Sequence, residues 1–286
     1  MAELKAHEKT HKSYAMGMHD EKLAGRTHRT FFDFEAGDSD SLVYPDGCDV
    51  DFDRRAEFDA ADMDSPAVNV KIRELMAQGY GHIVVQNPNA KHSLGVGILN
   101  RLKLDFEGSL GYFGVGLNDG PNIRIRGRVG WSCAENMMAG TVVVEKNAGS
   151  SFGAAIRGGD LVCKGDVGSR TGINMKGGTI LVGGRTGILS GFMMQRGRMV
   201  ILGDADENLG DSLYDGTIYV GGRIASLGVD AVRGEMTELE AAWLKQKLDL
   251  YGLEASNGVE NMQKIVAGKQ LWNYDNLEPA EKKIVL

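Results

Sequence analysis

The chain has 286 residues, 42% of them hydrophobic, and carries 32 Lys and Arg against 39 Asp and Glu for a formal net charge of −7. That length leaves room for one or two domains with a sizeable core, and the acidic balance excludes the basic footprint expected of a nucleic-acid binder. No apolar run approaches the roughly 18 residues of a membrane span or the apolar region of a secretory leader. The three cysteines, Cys48, Cys133 and Cys163, are odd in number and far apart, which points to a reducing, cytoplasmic compartment without a disulfide frame.

Residues 1–64 read as a polar and acidic N-terminal arm. His7, His11, His19 and His28 lie among lysines and threonines with nothing apolar to fix them in space, so a mobile tail is expected there rather than a metal site. Phe31, Phe32 and Phe34 supply the first apolar anchor. Residues 33–64 then carry twelve acids against only Arg54 and Arg55, a net of −10, without the pattern of a calcium loop, so this stretch is expected to lie solvated on a partner. After Ser65 and Pro66, residues 67–78 read as a helix with Val68, Ile72, Leu75 and Met76 on one face and Gly79 at its end. A strand over 82–86 follows.

From there to Leu227 glycine returns every nineteen residues. Gly111, Gly130, Gly149, Gly168 and Gly187 form one series, and Gly153, Gly172, Gly191 and Gly210 a second. Others run through Gly140 to Gly216 and, broken only by Lys146, Gly127 to Gly222. Between them short apolar runs keep the same phase: Ile123 and Ile125, Val142 and Val144, Leu161 and Cys163, Ile180 and Val182, Met199 and Ile201, Ile218 and Val220. A second inward phase carries Met137, Ile156, Met175, Met194 and Leu213. Self-similarity at this period marks a repeat architecture. Nineteen residues per coil suits short strands joined by tight corners, stacked at about 4.8 Å. The corners need glycine's positive φ or its lack of bulk. A helical reading fails at about 1 kcal/mol per glycine. The expected fold is all-β: a single-stranded, right-handed parallel β-helix of about seven 19-residue coils over residues 65–232, capped by the helix at its start.

Several sequences inside the coils imitate functional motifs. Gly95-Val96-Gly97 and Gly114-Val115-Gly116 lack the strand–loop–helix setting of a dinucleotide loop and read as corners. Asp204, Asp206, Glu207, Asn208 and Asp211 cluster at one corner and read as an exposed acidic surface. Cys163 falls on an inward phase and reads as a core residue, Met175 and Met194 as a packed stack, and Trp131 as a filler at the head of its coil. From Glu235 the period stops. Thr237 to Glu240 is a capping box that opens a helix to about Leu250, ending near Gly252; Asn257 and Glu260 suggest a second helix that closes at Gly268. Residues 233–286 are thus expected to form a helical cap over the C-terminal end of the stack, with a tail.

The glycine period, together with Gly130-Trp131-Ser132-Cys133-Ala134-Glu135-Asn136-Met137-Met138-Ala139-Gly140, Leu209-Gly210-Asp211-Ser212-Leu213-Tyr214 and Ala225-Ser226-Leu227-Gly228, resembles the GXGXG domain of the glutamate synthase large subunit. It resembles most the stand-alone GXGXG subunit of three-part glutamate-synthase-like enzymes such as N-methylglutamate synthase, and it is also similar to a subunit of formylmethanofuran dehydrogenase. The resemblance covers residues from about 67 to 232. It implies that the catalytic machinery sits on other chains: a glutamine-amidotransferase-like subunit and a subunit holding FMN and an iron–sulfur cluster. This chain would be a structural member of a hetero-oligomer, without catalytic, cofactor or metal residues, that fixes two active sites at a set separation. Whether ammonia or methylamine is the amine stays open. The competing class is a β-helical polysaccharide lyase or hydrolase, which would need acidic and basic chemistry along one outer face.

The outward phase between the inward pairs carries Val143, Val162, Leu181, Val200 and Tyr219 instead, an apolar row of roughly 19 Å beside the polar row Thr141, Asp160, Thr179, Arg198 and Thr217. An apolar row of that length marks a contact surface. A partner subunit is the favoured cover, the chain's own arm or tail the alternative.

Overall fold

A computed structural model describes residues 48–268. Eleven strands form one sheet: β1 (Asp51–Asp59), β2 (Tyr80–Gln86), β3 (Lys103–Glu107), β4 (Asp119–Ile125), β5 (Ala139–Val144), β6 (Asp160–Cys163), β7 (Lys176–Val182), β8 (Arg196–Ile201), β9 (Thr217–Val220), β10 (Ala231–Gly234) and β11 (Gln263–Ala267). Two α-helices, α1 (Ser65–Ala77) and α2 (Glu238–Tyr251), complete the secondary structure with a 3₁₀ turn over Val259–Asn261. The sheet order is β1 to β9, then β11, then β10. The result is a β-solenoid of about seven turns.

The register is the sequence period made physical. Leu104 pairs with Ile123, Ile123 with Val142, Val142 with Leu161, Leu161 with Ile180, Ile180 with Met199 and Met199 with Ile218, all in parallel. Because side chains alternate along a strand, these residues and their partners two positions on point inward, and all of them are buried. The far wall of each coil contributes Met137, Ile156, Met175, Met194 and Leu213, also buried.

That far wall is not a strand. Alternate residues there are left-handed: Ser132, Ala134 and Asn136 have φ of 57°, 57° and 53°. The alternation turns successive amides up and down the solenoid axis. Ser132 N donates to Ser150 O at 2.9 Å and Asn136 N to Ala154 O at 2.8 Å in the following coil, while Ala134 N donates to Gly114 O at 2.9 Å in the preceding one. Every turn thus satisfies its backbone through its neighbours, as burial demands.

The two glycine series serve different ends. Gly172 sits at the middle left-handed position with φ +64°, and a side chain there would fall on the Met199 methyl in the core. Gly168 has no such backbone requirement; its Cβ would lie 2.6 Å from Ser150 N and 2.8 Å from Gly149 C, the backbone of the coil below. Close approach, not turn geometry, explains the series to which it belongs.

Two expectations about the ends need correction. Residues 51–59, expected within a solvated arm, form β1 and pair in parallel with β2, Glu57 opposite Val84 and Phe58 opposite Val85. The acids stand at the sheet's edge and are engaged there: Arg55 bonds Glu57 at 2.5 Å, and Gln86 Nε2 donates to Glu57 at 2.9 Å. At the other end, Gln263–Ala267 is a strand, not part of a second helix. It lies antiparallel to β9 with Ile265 buried, and β10 pairs on its outside. The open edge of β9 offers a row of unpaired backbone groups, and pairing them outweighs the local capping signal. The expected first cap is present: α1 buries Val68, Ile72, Leu75 and Met76, with Asp64 as N-cap, and Asn69 anchors it through Ser93 O and Gly95 N at 2.8 Å each. The expected residues before 48 and after 268, including the histidines and Phe31, Phe32 and Phe34, lie outside the described residues.

Candidate functional site

The apolar outward row is covered by the chain itself. Val162, Leu181, Val200 and Tyr219 are buried together with Leu244 and Leu248 of α2 and with Met262, and Val143, Trp243 and Tyr251 pack against the same cluster. The favoured partner-subunit interface at Val143, Val162, Leu181, Val200 and Tyr219 is therefore corrected: helix α2 lies along the outer face of β5–β9 and takes that place. The capping box expected at Thr237 and Glu240 starts this helix, and Gly252, left-handed at φ 63°, ends it.

Polar contacts at both ends lock α2 down. Tyr219 Oη donates to Glu240 at 2.8 Å, and Lys264 Nζ meets the same carboxylate at 2.8 Å. Partial burial pushes the Glu240 carboxyl up, but the bonds from Lys264, Thr237 and Tyr219 outweigh it and hold the pKa down at about 2. At the other end, Lys247 Nζ and Tyr251 Oη both donate to Asp160 at 2.6 Å. Burial first, and then the bond to Asp160, raises the Tyr251 hydroxyl well above the ordinary tyrosine range. The Arg198 guanidinium stacks over Trp243, 4.7 Å from the ring centroid.

Beyond the end of α2 no described residue covers the outer face of β2–β5. It forms a groove of about 400 Å³ floored by His82, Lys103, Asp105, Asn122 and Arg124 and walled by Leu250 and Tyr251. Its charges largely answer one another. His82 Nε2 lies 2.8 Å from Asp105 Oδ2, Arg124 Nε donates to Glu145 at 2.6 Å, and Lys164 Nζ lies 3.1 Å from the same carboxylate. Burial raises the Glu145 carboxyl, yet the bonds from Lys164 and Arg124 prevail and its pKa is lowered. A His–Asp pair can orient a proton acceptor. The sequence reading missed this pair, although Asp105 lies in the same outward phase as Val143 and Val162.

A second exposed feature lies at the corner of the first coils. His92, Tyr112 and Trp131 stack ring on ring, with centroids 4.7 and 5.3 Å apart and interplanar angles of 7° and 23°. Trp131 is 58% exposed, so the expectation of a filler is corrected: the indole closes a surface row. Spacings of twenty and nineteen residues were the signal that could have revealed it.

The remaining expected site residues are structural. Cys133 and Cys163 lie in the interior, and burial pushes the Cys163 thiol up to about 12, out of the reactive range. In the acidic corner, Asp204 accepts from Arg223 N and Asp211 from Ser212 and Val229 N. Among the described residues no group of three or more His, Cys, Asp or Glu is arranged to hold a metal ion, and no helix is long and apolar enough to cross a membrane.

This geometry defines a β-solenoid with one wall a mostly parallel sheet, half sealed by its own helix and half left, among the described residues, as a groove. No protein-family model matches the chain. It is 43% identical over 60 residues to Protein GlxC of Rhizobium meliloti (strain 1021), a match that takes in 21% of this chain and 26% of that protein, so the chain spans about a quarter of the curated relative's length. Among solved structures it is similar to a chain of the formyltransferase/hydrolase complex FhcABCD from Methylorubrum extorquens, determined in complex with methylofuran. That similarity has a TM-score of 0.52 at 20% identity over 76% of this chain and 92% of the other, a likeness of fold.

Proposed function

We propose that the chain is a non-catalytic structural subunit of a cytoplasmic, multi-subunit glutamate-synthase-like complex, most specifically N-methylglutamate synthase. It holds a glutamine-amidotransferase-like chain and an FMN and iron–sulfur chain at fixed separation. One observation carries the reading: on the sheet wall, the repeat's side chains are taken up by the fold. Inward rows fill the core, the outward apolar row is sealed by α2, and the groove's His82 and Arg124 sit against the carboxylates of Asp105 and Glu145. Among the described residues the sheet wall is then a rigid body with a face that no helix covers over β2–β5, as a spacer requires. The likeness of fold to a chain of the FhcABCD complex supports membership of an assembly of several chains.

A second reading, a subunit of a one-carbon complex of the formyltransferase/hydrolase or formylmethanofuran dehydrogenase kind, is favoured by the FhcABCD fold likeness. Cofactor analysis of the natively purified assembly separates them. FMN with iron and acid-labile sulfide is expected from the first reading. Molybdenum or tungsten without FMN belongs to formylmethanofuran dehydrogenase, and an assembly without either cofactor set but with formyl-transfer activity to the formyltransferase/hydrolase kind.

A further inference from the structure

The stacked aromatic row is the centre of an exposed apolar patch. Tyr112 is 42% exposed, Phe113 49%, Leu117 48% and Trp131 58%. Backbone bonds tie these residues into adjoining coils: Phe113 N donates to Trp131 O, and Leu117 N to Glu135 O, each at 2.8 Å. A cation stands on either side. Arg128 is exposed three residues before Trp131, and Arg73 of α1 reaches Val96 O at 3.5 Å, next to the coil that carries Leu117. Neither arginine has an ion-pair partner among the described residues. A surface of aromatic edges flanked by guanidinium groups fits an occupant that is both aromatic and acidic.

The chain contains such a segment. Residues 31–47 carry Phe31, Phe32, Phe34 and Tyr44 with five acids, Asp33, Glu35, Asp38, Asp40 and Asp46, and no Lys or Arg. They join the described structure at the Leu117 end of the patch. Cys48 is fixed by Asn100, whose side chain accepts from Cys48 N at 3.0 Å and donates to Cys48 O at 2.7 Å. Two residues before Asn100, Ile98 O accepts from Asp119 N of the patch-bearing coil at 2.9 Å. The fourteen residues from Phe34 to Gly47 span up to about 46 Å when extended, ample to run back along the wall from the level of Asp119 to that of Tyr112, at most about 25 Å for seven residues, and to cross two coils at about 4.8 Å each. A tether of this length also keeps the segment at an effective concentration on the order of mM, which a separate partner would have to exceed.

We propose that residues 31–47 fold back over the His92–Tyr112–Trp131 row, with the phenylalanines against Tyr112, Phe113 and Trp131 and the carboxylates facing Arg128 and Arg73. This inference does not depend on the scaffold reading. The test uses the full chain labelled with 5-fluorotryptophan, whose Trp131 resonance is assigned from Trp131→Phe, the other tryptophans serving as internal controls. The readout is the H₂O-to-D₂O isotope shift of that resonance, a measure of solvent contact. Trp131 should show little isotope shift in the parent chain and regain it in the Phe31→Ser/Phe32→Ser/Phe34→Ser variant. Arg128→Glu should also expose Trp131, and adding Asp33→Lys/Glu35→Lys should cover it again. A full isotope shift in the parent chain overturns the proposal. So does shielding that persists in the triple serine variant, or shielding that appears only as concentration rises, which would make a second copy the occupant.

Discussion

Alanine placed at Gly168 and at Gly172 should separate the two roles of the repeat's glycines. At Gly172 the backbone is left-handed, which costs a non-glycine residue about 1–2 kcal/mol. The added methyl meets the end of the Met199 side chain, which can swing aside. The same position holds Ala134 at φ 57° and Val115 at φ 51° in earlier coils, so the solenoid accepts a side chain there. A total near 2 kcal/mol is expected. At Gly168 no φ cost applies, but the methyl would sit 2.6 Å from Ser150 N and 2.8 Å from Gly149 C. Ordinary contact begins near 3.5 Å, so the two coils must part by roughly 0.8 Å. The bonds Gly168 N to Gly149 O at 3.3 Å and Gly187 N to Gly168 O at 3.4 Å cannot survive that. Each buried backbone group left unpaired costs about 1–3 kcal/mol, and the total should reach about 4 kcal/mol or more. Thermal melts followed by circular dichroism, at about 2–4 °C per kcal/mol for a body of this size, should place Gly168→Ala well below Gly172→Ala. The reverse order, or equal losses, would refute the assignment of close approach to one series and conformation to the other.

Leu244→Ala removes a fully buried side chain from the seal between α2 and the sheet, and should cost about 2–5 kcal/mol in a denaturant titration read through Trp243 fluorescence. Leu181→Asp, at the same seal, should free α2 and raise hydrogen exchange across Glu238–Tyr251; protection at the parental level would show that something else covers the row. Because the Glu240 carboxyl is held down to about 2 from an ordinary 4.5, its contribution to stability is complete above pH 4.5 and is lost as pH falls toward 2. Glu240→Gln should flatten that part of the stability–pH curve, and an unchanged slope would exclude Glu240 as its source.

The nineteen-residue period made the solenoid legible because one physical event, a strand lying on its copy, recurs at each turn. The inward rows, such as Leu161 over Val142 and under Ile180, are where that period placed them. Outside the repeat the sequence was harder to read. In β1 the charges of Asp51, Asp53, Arg55, Glu57 and Asp59 alternate with Phe52, Ala56 and Phe58, a strand pattern interrupted by Arg54 and hidden by the size of the net charge. Asn257 and Glu260 imitate a helix start, but no local signal records that β9 leaves an edge for Gln263–Ala267 to pair. The outward apolar row was visible as a contact surface. Its cover was not, because Leu244 and Leu248 reach it only through the tertiary path of the chain. The His82–Asp105 pair was missed for a related reason: it joins two strands whose first spacing is twenty-one residues, not nineteen.

The claim that this chain organises other chains rather than turning over substrate is tested most directly by native mass spectrometry. The chain would be tagged and purified from cells that make it, with its companions identified by peptide sequencing and synthase turnover assayed before and after they are stripped away. Expected is a stoichiometric assembly with an amidotransferase-like chain and a flavin-bearing iron–sulfur chain, active only when intact. A chain that weighs as itself alone and turns over substrate in that state would contradict the scaffold reading outright.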